Sequence, residues 1–243
     1  MRLWWISDKG LVRKENQDAC ATKIIGAYTV AVVCDGMGGT QGGQVASKIA
    51  IETFQSELEK TLRDQMTPQQ LREAAAYSIS LVNQEIRKEA AADPEYQRMG
   101  TTLVSAIAKG KFVMVNNVGD SRAYLVSRSG IRQITKDHSV VEDLVERGDL
   151  TPQEAKHHPN RNLITRALGP EQSVQVDSFE VQWDTGEFLL LCSDGLVNTV
   201  SDQEMLFEVI HGGEPDTCLE RLLALAQRRG APDNVTAILM MNI

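Results

Sequence analysis

Three apolar stretches run into an aspartate that has a glycine beside it: Val32-Val33-Cys34-Asp35-Gly36, Val115-Asn116-Asn117-Val118-Gly119-Asp120 and Leu190-Leu191-Cys192-Ser193-Asp194-Gly195. A fourth aspartate stands just before an apolar stretch in Pro232-Asp233-Asn234-Val235, and a fifth closes Arg13-Lys14-Glu15-Asn16-Gln17-Asp18. A carboxylate at a strand end is placed with small positional error, and an adjacent glycine lets a ligand approach the backbone. Asp-Gly after a strand is also the commonest hairpin-turn signal. Turns explain the set poorly, because Asp120 and Asp233 do not precede glycine and the stretch Asp35–Gly43 holds more glycine than one turn needs. A dinucleotide fingerprint is excluded there, since Gln41 stands where the third glycine belongs. The sequence has neither a P-loop nor a His-Glu-x-x-His segment.

Carboxylates without His or Cys partners select hard, oxygen-loving cations, magnesium or manganese rather than zinc. Several aspartates in one cleft cannot all stay ionised unless cations compensate them. The overall balance, 25 Lys+Arg against 33 Asp+Glu for a net charge of −8, makes the same point. It argues against a nucleic-acid or anionic-membrane surface, which needs a basic stripe. Bound cations would turn an acidic pocket into one that attracts phosphate.

The elements that must position these residues follow from apolar periodicity. A chain of 243 residues with 42% hydrophobic and 24% charged residues fits one large α/β domain, and no linker, repeat or low-complexity tract divides it. Strands are expected over Leu3–Asp8, Ala27–Cys34, Leu103–Ala108, Phe112–Val118, Ala123–Val126, Ile131–Ile134, Val174–Val181, Phe188–Cys192 and Val235–Met241. Val45, Ile49, Ala50, Phe54, Leu58 and Leu62 predict a helix, and Thr67-Pro68 opens a second through Leu71, Ala75, Val82 and Ile86. Further helices are expected over Val140–Arg147, behind the capping boxes Thr151–Glu154 and Ser201–Glu204, and over Leu219–Arg229 with Gly230 as its stop. Consecutive short strands with paired helices between them predict antiparallel sheets covered by helices. No apolar run approaches the roughly 18 residues of a membrane span, and the apolar part of Met1–Ser7 is too short for a signal peptide. Cys20, Cys34, Cys192 and Cys218 lack Cys-x-x-Cys spacing and read as buried thiols in a reducing cytosol. Trp4, Trp5 and Trp183 read as core or sheet-face residues.

The ordered series Asp8-x-Gly10-x-x-Arg13-x-x-Asn16-x-Asp18, Asp35-Gly36-Met37-Gly38-Gly39, Met99-Gly100-Thr101-Thr102, Val118-Gly119-Asp120-Ser121-Arg122, Asp137-His138-Ser139, Cys192-Ser193-Asp194-Gly195-Leu196 and Asp233-Asn234-Val235-Thr236 resembles the type 2C (PPM) metal-dependent serine/threonine protein phosphatases. The likeness is greatest to their compact bacterial members and spans Asp8 to Thr236. It implies one catalytic domain over residues 1–243, folded as an αββα sandwich of two antiparallel sheets with helices outside. Asp35 would bridge two manganese or magnesium ions about 3.5–4 Å apart, with the Gly36 carbonyl completing one of them. Asp18, Asp194 and Asp233 would ligate directly or through water, and Asp120, with Asp194, would hold a weaker third ion. A hydroxide shared by the two tight ions would attack the phosphorus of phosphoserine or phosphothreonine in line, without a phospho-enzyme. Arg13 would bind the phosphate with the planar fork of its guanidinium. The resemblance further implies a cytoplasmic monomer acting on phosphorylated proteins, including a cognate serine/threonine kinase. A non-catalytic phosphoprotein-binding module and a small-molecule phosphoesterase are the alternatives.

One departure matters. Many eukaryotic members of that family carry histidine, their assigned general acid, where this chain has Met37, which cannot donate a proton. Thr40 is a poor substitute. The leaving alkoxide would then take its proton from metal-bound water or from a residue the sequence does not name; His138 is a candidate, although a histidine beside Asp137 is more often a structural hydrogen-bonder. His157 and His158 fall in the polar stretch from about Glu142 to Asn162, which the resemblance marks as a flap beside the site and which reads otherwise as a solvated loop. Ser121 and Arg122 are expected to fix the turn at Asp120. Ser193 lacks the Gly-x-Ser-x-Gly elbow of a nucleophile.

Overall fold

Apolar residues on both faces of Tyr28–Met37 require a strand covered from two sides, because successive side chains of a strand point in opposite directions. In the computed structural model, which describes residues 1–39 and 41–243, Val30, Val32 and Cys34 pack towards two long helices, while Ala31 and Val33 pack towards a second sheet. Thr40 lies outside the described residues.

In chain order the elements are β1 (Arg2–Asp8), β2 (Asp18–Ile25), β3 (Tyr28–Met37), α1 (Gly42–Thr61), α2 (Pro68–Ala92), β4 (Gly100–Thr101), β5 (Leu103–Lys109), β6 (Phe112–Val118), β7 (Arg122–Ser127) and β8 (Gly130–Gln133). They continue as α3 (Val140–Glu146), α4 (Pro152–Ala155), β9 (Asp177–Gln182), β10 (Phe188–Cys192), α5 (Asp194–Val197), α6 (Asp202–Ile210), α7 (Cys218–Arg228) and β11 (Val235–Met241). One sheet has the order β1-β11-β10-β7-β8 and the other β2-β3-β5-β6-β9, with β4 pairing β3. Every pairing is antiparallel. Ala106, Val113 and Val115 of one sheet meet Leu189, Leu191 and Ile238 of the other in a shared apolar layer. Phe54, Leu58, Ile79 and Ile86 of α1 and α2 cover the outer face of the β3 sheet. Leu196, Met205 and Leu222 from α5, α6 and α7 cover the other sheet. The αββα order expected from the sequence is therefore the architecture observed.

Local chemistry sets the helix starts. Thr67 accepts the Gln70 N–H while the Gln70 side chain accepts the Thr67 N–H, a reciprocal cap with Pro68 in the first turn. Capping boxes also open α4 at Thr151 and α6 at Ser201. Among the described residues no helix is long and apolar enough to cross a membrane.

The structure departs from the sequence expectations in several places, and the short elements β4 and α5 were not foreseen. Strand β2 was not foreseen, because Asp18-Ala-Cys-Ala-Thr-Lys is an edge strand with little apolar alternation. Strand β9 starts at Asp177, which pairs with Asn117, rather than at Val174; Val174 and Val176 pack against the apolar core instead. Trp5, 63% exposed, stands on a face of β1 and Trp183 is buried in the core, in line with their reading as sheet-face or core residues. Cys20 on the edge strand β2 is half-buried, while the other three cysteines are buried; all four are free thiols.

Candidate active site

Antiparallel order brings the ends of some strands and the beginnings of others to one edge of the sandwich. Asp35 lies near the end of β3, and Asp18, which begins β2, is its register partner. Asp194 follows β10, Asp120 precedes β7 and Asp233 precedes β11. Because Cys192 pairs with both Arg122 and Ala237, the last three are held at the same edge. Residues far apart in the chain thus share one cleft of about 550 Å³, lined by Arg13, Asp35, Gly36, Asp120, Asp194 and Asp233 among others.

Asp18 sits beneath that cleft rather than on its wall. Its Oδ2 accepts the Ser193 hydroxyl at 2.7 Å, and its buried Oδ1 has no hydrogen-bond partner. Ser193 is fully buried and also accepts the Thr236 N–H at 3.0 Å, so its hydroxyl positions Asp18 and does not face the cleft. Asp35 is fixed through its backbone: its N–H donates to Thr102 Oγ1 at 2.9 Å, and its carbonyl accepts from the Thr102 N–H and the Thr101 hydroxyl. Thr102 Oγ1 and Ser121 Oγ are 2.7 Å apart, which ties the Asp35 strand to the Asp120 turn. Asn198, one turn after Asp194, donates to its Oδ2 at 3.0 Å.

Arg13 stands at the mouth and donates to Asp233 Oδ2 at 2.7 Å. The loop bearing it is clamped by Asn234, whose Oδ1 accepts the Gln17 N–H at 2.8 Å and whose amide donates to the Lys9 and Glu15 carbonyls at 2.9 Å. Sequence reasoning missed Thr102, Asn198 and Asn234 as supports. Only Asn198 left a local signal, its four-residue spacing from Asp194 on a short helix.

The glycines after Asp35 serve close packing. A Cβ on Gly36 would lie 2.0 Å from the Gly43 carbonyl oxygen and 2.5 Å from that of Gln17, both rigid backbone. The first turn of α1 therefore presses against the end of β3. Gly36→Ala is expected to cost about 3 kcal/mol and to lower the melting temperature by roughly 5–10 °C. Calorimetry checks this, and an unchanged melting temperature would contradict it.

The electrostatics are those of a site built for cations. Burial is the main cause that pushes Asp18 and Asp120 up to about 7, and the neighbouring carboxylates add to it. Asp35 is driven well above the carboxylate range by burial and by Asp18, Asp194, Asp120 and Asp233. Asp194 is raised by burial and by Asp233, and it lies within hydrogen-bonding reach of the Asp35 carboxyl. Without a cation, a proton must sit between two such carboxylates. The unpartnered Asp18 oxygen and this crowding fit divalent cations. Among the described residues no group of three or more His, Cys, Asp or Glu side chains is placed to hold a metal ion by itself, so water must supply part of any ion's shell. The donor set matches the habit of magnesium, which takes one or two carboxylates and keeps several waters.

His138 does not line the cleft. It is 4% exposed, its Nδ1 accepts the Gly119 N–H at 2.9 Å, and its Nε2 lies 3.2 Å from Asp177 Oδ2. Arg122 forms a two-point ion pair with Asp137 at 2.6–3.0 Å. Ser121, bonded to Thr102, holds the Asp120 turn as its position suggested, whereas the Arg122 side chain bonds Asp137 and Tyr124 outside that turn. The stretch from Glu142 to Asn162 holds most of α3 and all of α4, and Asn162 and Ile164 reach the cleft wall. His157 lies on an adjoining groove and does not line the cleft.

Residues 12–226 match the family described as Protein phosphatase 2C. The chain is 37% identical over 238 residues to the serine/threonine phosphatase stp of Listeria innocua, covering 96% of this chain and 93% of that protein. It is 35% identical over 245 residues to the protein phosphatase PhpP of Streptococcus pneumoniae, covering 100% and 98%. The crystal structure of serine/threonine phosphatase Stp1 from Staphylococcus aureus superposes with a TM-score of 0.92 at 36% identity, covering 98% of this chain and 94% of that one. With the family match over most of its length and the fold shared with a solved relative, the chain belongs to the protein phosphatase 2C family.

Proposed function

We propose that this protein is a divalent-metal-dependent protein serine/threonine phosphatase. The observation that carries the reading is the cleft itself, where Asp35, Asp120, Asp194 and Asp233 converge beside Arg13 with Asp18 beneath. Asp18, Asp35, Asp194 and Asp233, with the Gly36 carbonyl, would hold two tight ions, and Asp120 with Asp194 a weaker third; manganese or magnesium suits these oxygen donors. When bound, such ions supply Lewis acidity, offsetting the carboxylate charge and lowering the proton affinity of water towards neutral pH.

The protein's own groups orient and select. Arg13 exchanges its bond to Asp233 for the substrate phosphate, whose oxygens accept the two parallel N–H groups of the guanidinium. Asp35, held through its backbone by Thr102, fixes the end of the cleft from which water attacks phosphorus opposite the seryl or threonyl oxygen. Among the described residues no Ser, Cys or His lines the cleft, which favours direct transfer to water over a phospho-enzyme on such a residue. The leaving alkoxide takes its proton from solvent in this open cleft, since Met37 cannot donate and His138 is turned away. The named activities of the relatives support phosphorylated proteins as substrates, shared with a serine/threonine kinase. Four free thiols support a reducing, cytoplasmic setting.

Hydrolysis of p-nitrophenyl phosphate with millimolar manganese tests the reading, repeated after chelation and again after manganese is returned. Turnover lost and then restored is the expected result. A protein that binds phosphothreonine peptide but shows no turnover with any divalent ion would be a binding module instead. Activity on sugar phosphates above that on phosphothreonine peptides would make it a small-molecule phosphoesterase.

A further inference from the structure

The turn that presents Asp120 is held from behind by a single residue at two points. Gly119 lies at φ +108°, and a Cβ there would meet Thr102 Cγ2 at 2.6 Å, so the backbone is committed to one narrow path. Its N–H donates to His138 Nδ1 at 2.9 Å, and its carbonyl accepts the His138 N–H at 3.0 Å. Asn117 Nδ2 adds a second bond to the same carbonyl at 3.1 Å.

Proton bookkeeping fixes the state of the ring. An amide N–H can only donate, so Nδ1 must carry its lone pair and Nε2 must carry the proton. That proton points to Asp177 Oδ2, 3.2 Å away on β9. Arg166 Nη1 donates to Asp177 Oδ1 at 2.9 Å and to the Gln175 carbonyl at 3.2 Å; its 2.9 Å approach to Nε2 sets one donor beside another and is no hydrogen bond, so it is Asp177 that receives both the guanidinium and the imidazole. The ring is thereby oriented from one side by a carboxylate and grips a backbone amide on the other.

We propose that His138 is a positioning residue for Asp120, aiming its carboxylate through a two-point hold on Gly119, with Asp177 orienting the imidazole. The hold acts on a ligand from outside the ligand shell. Loss of such supporting partners typically costs about 10–100-fold in metal affinity. The inference rests on the reading above, in which Asp120 holds the weaker ion.

The test is calorimetric titration of the chelated protein with manganese alone, together with amide hydrogen exchange at Gly119. His138→Ala should weaken the weakest class of manganese binding by about tenfold or more, leave the tight class within threefold, and expose the Gly119 amide to exchange. His138→Asn places an amide oxygen where Nδ1 stood, so it should keep Gly119 protected and manganese binding within threefold of the parent. Failure of His138→Asn to do better than His138→Ala overturns the proposal, as does unchanged Gly119 exchange in a folded His138→Ala protein. Should His138→Ala not fold, the His138→Asn result decides by the same criterion of retained protection and manganese affinity. Asp120→Ala separates the two readings. If it leaves all manganese binding intact, the ligand assignment of Asp120 fails, and Gly119 exchange still decides whether His138 holds the turn.

Discussion

Asp35→Asn is expected to reduce turnover by roughly three orders of magnitude or more, about 4 kcal/mol of barrier, while making the chelated protein harder to melt. The two effects have one cause. Asp35 faces Asp18, Asp194, Asp120 and Asp233, and burial removes the water that would screen them. In the metal-free fold it must therefore take up a proton at neutral pH, which the unfolded chain does not need. Asparagine keeps the shape and the hydrogen bonds of the backbone to Thr102, and it removes that cost. A gain of at least about 1 kcal/mol corresponds to roughly 2–4 °C for a chain of this size. The same substitution deprives the cleft of its most crowded anionic donor, so cation affinity and catalysis fall together. Steady-state kinetics with saturating manganese and scanning calorimetry in chelator check the pair. An Asp35→Asn protein that is both active and less stable would contradict the account.

Stability of the chelated protein should fall as pH rises from about 5 to 7.5, opposite to the usual behaviour of carboxylates. Asp18 and Asp120 are pushed up to about 7 in the folded state, and Asp35 and Asp194 are also raised. A group with a raised folded-state pKa binds its proton more tightly in the native protein. Its contribution is fully present below the unfolded value near 3.9 and is lost as pH climbs through the folded value. Each such group contributes up to about 1.4 kcal/mol per pH unit within that window, so the melting temperature should drop by on the order of 10 °C. His138, whose pKa is lowered chiefly by burial, works in the other direction and loses stability as pH falls below about 6.5. It is one group against several aspartates. Millimolar manganese should abolish the decline at pH 7.5, because the ion replaces the proton as the counter-charge. Melting curves at several pH values, with chelator and with manganese, measure this. A flat or rising profile in chelator would mean that neither burial nor mutual repulsion raises these carboxylates.

How far the sequence carried depends on where the information lay. Phe112–Val118, Phe188–Cys192 and Val235–Met241 are observed as expected from their apolar runs, because each is buried on both faces and its composition alone marks it. Strand β2 escaped because its identity comes from pairing with β3 rather than from its own residues. The expected aspartates do gather, four on the cleft wall and Asp18 beneath it. The supports around them were less legible. Asn234 bonds residues 217–225 positions away, and Thr102 meets a backbone amide 67 positions earlier, so no window of sequence contains either relationship. A structural role for His138 was legible beside Asp137, but its partners Gly119 and Asp177, 19 and 39 positions away, were not.

The pairing of β1 with β11 means that the cleft draws on segments 220 positions apart in the chain. Arg13 and Asp18 come from its first twenty residues and Asp233 from its last eleven, with Asn234 knitting the two together. A ribosome-bound chain that has not yet released β11 therefore lacks both a wall of the cleft and the clamp on the Arg13 loop. Newly made protein stays inert until β11 has emerged and paired, and a nick that frees this strand switches a folded molecule off.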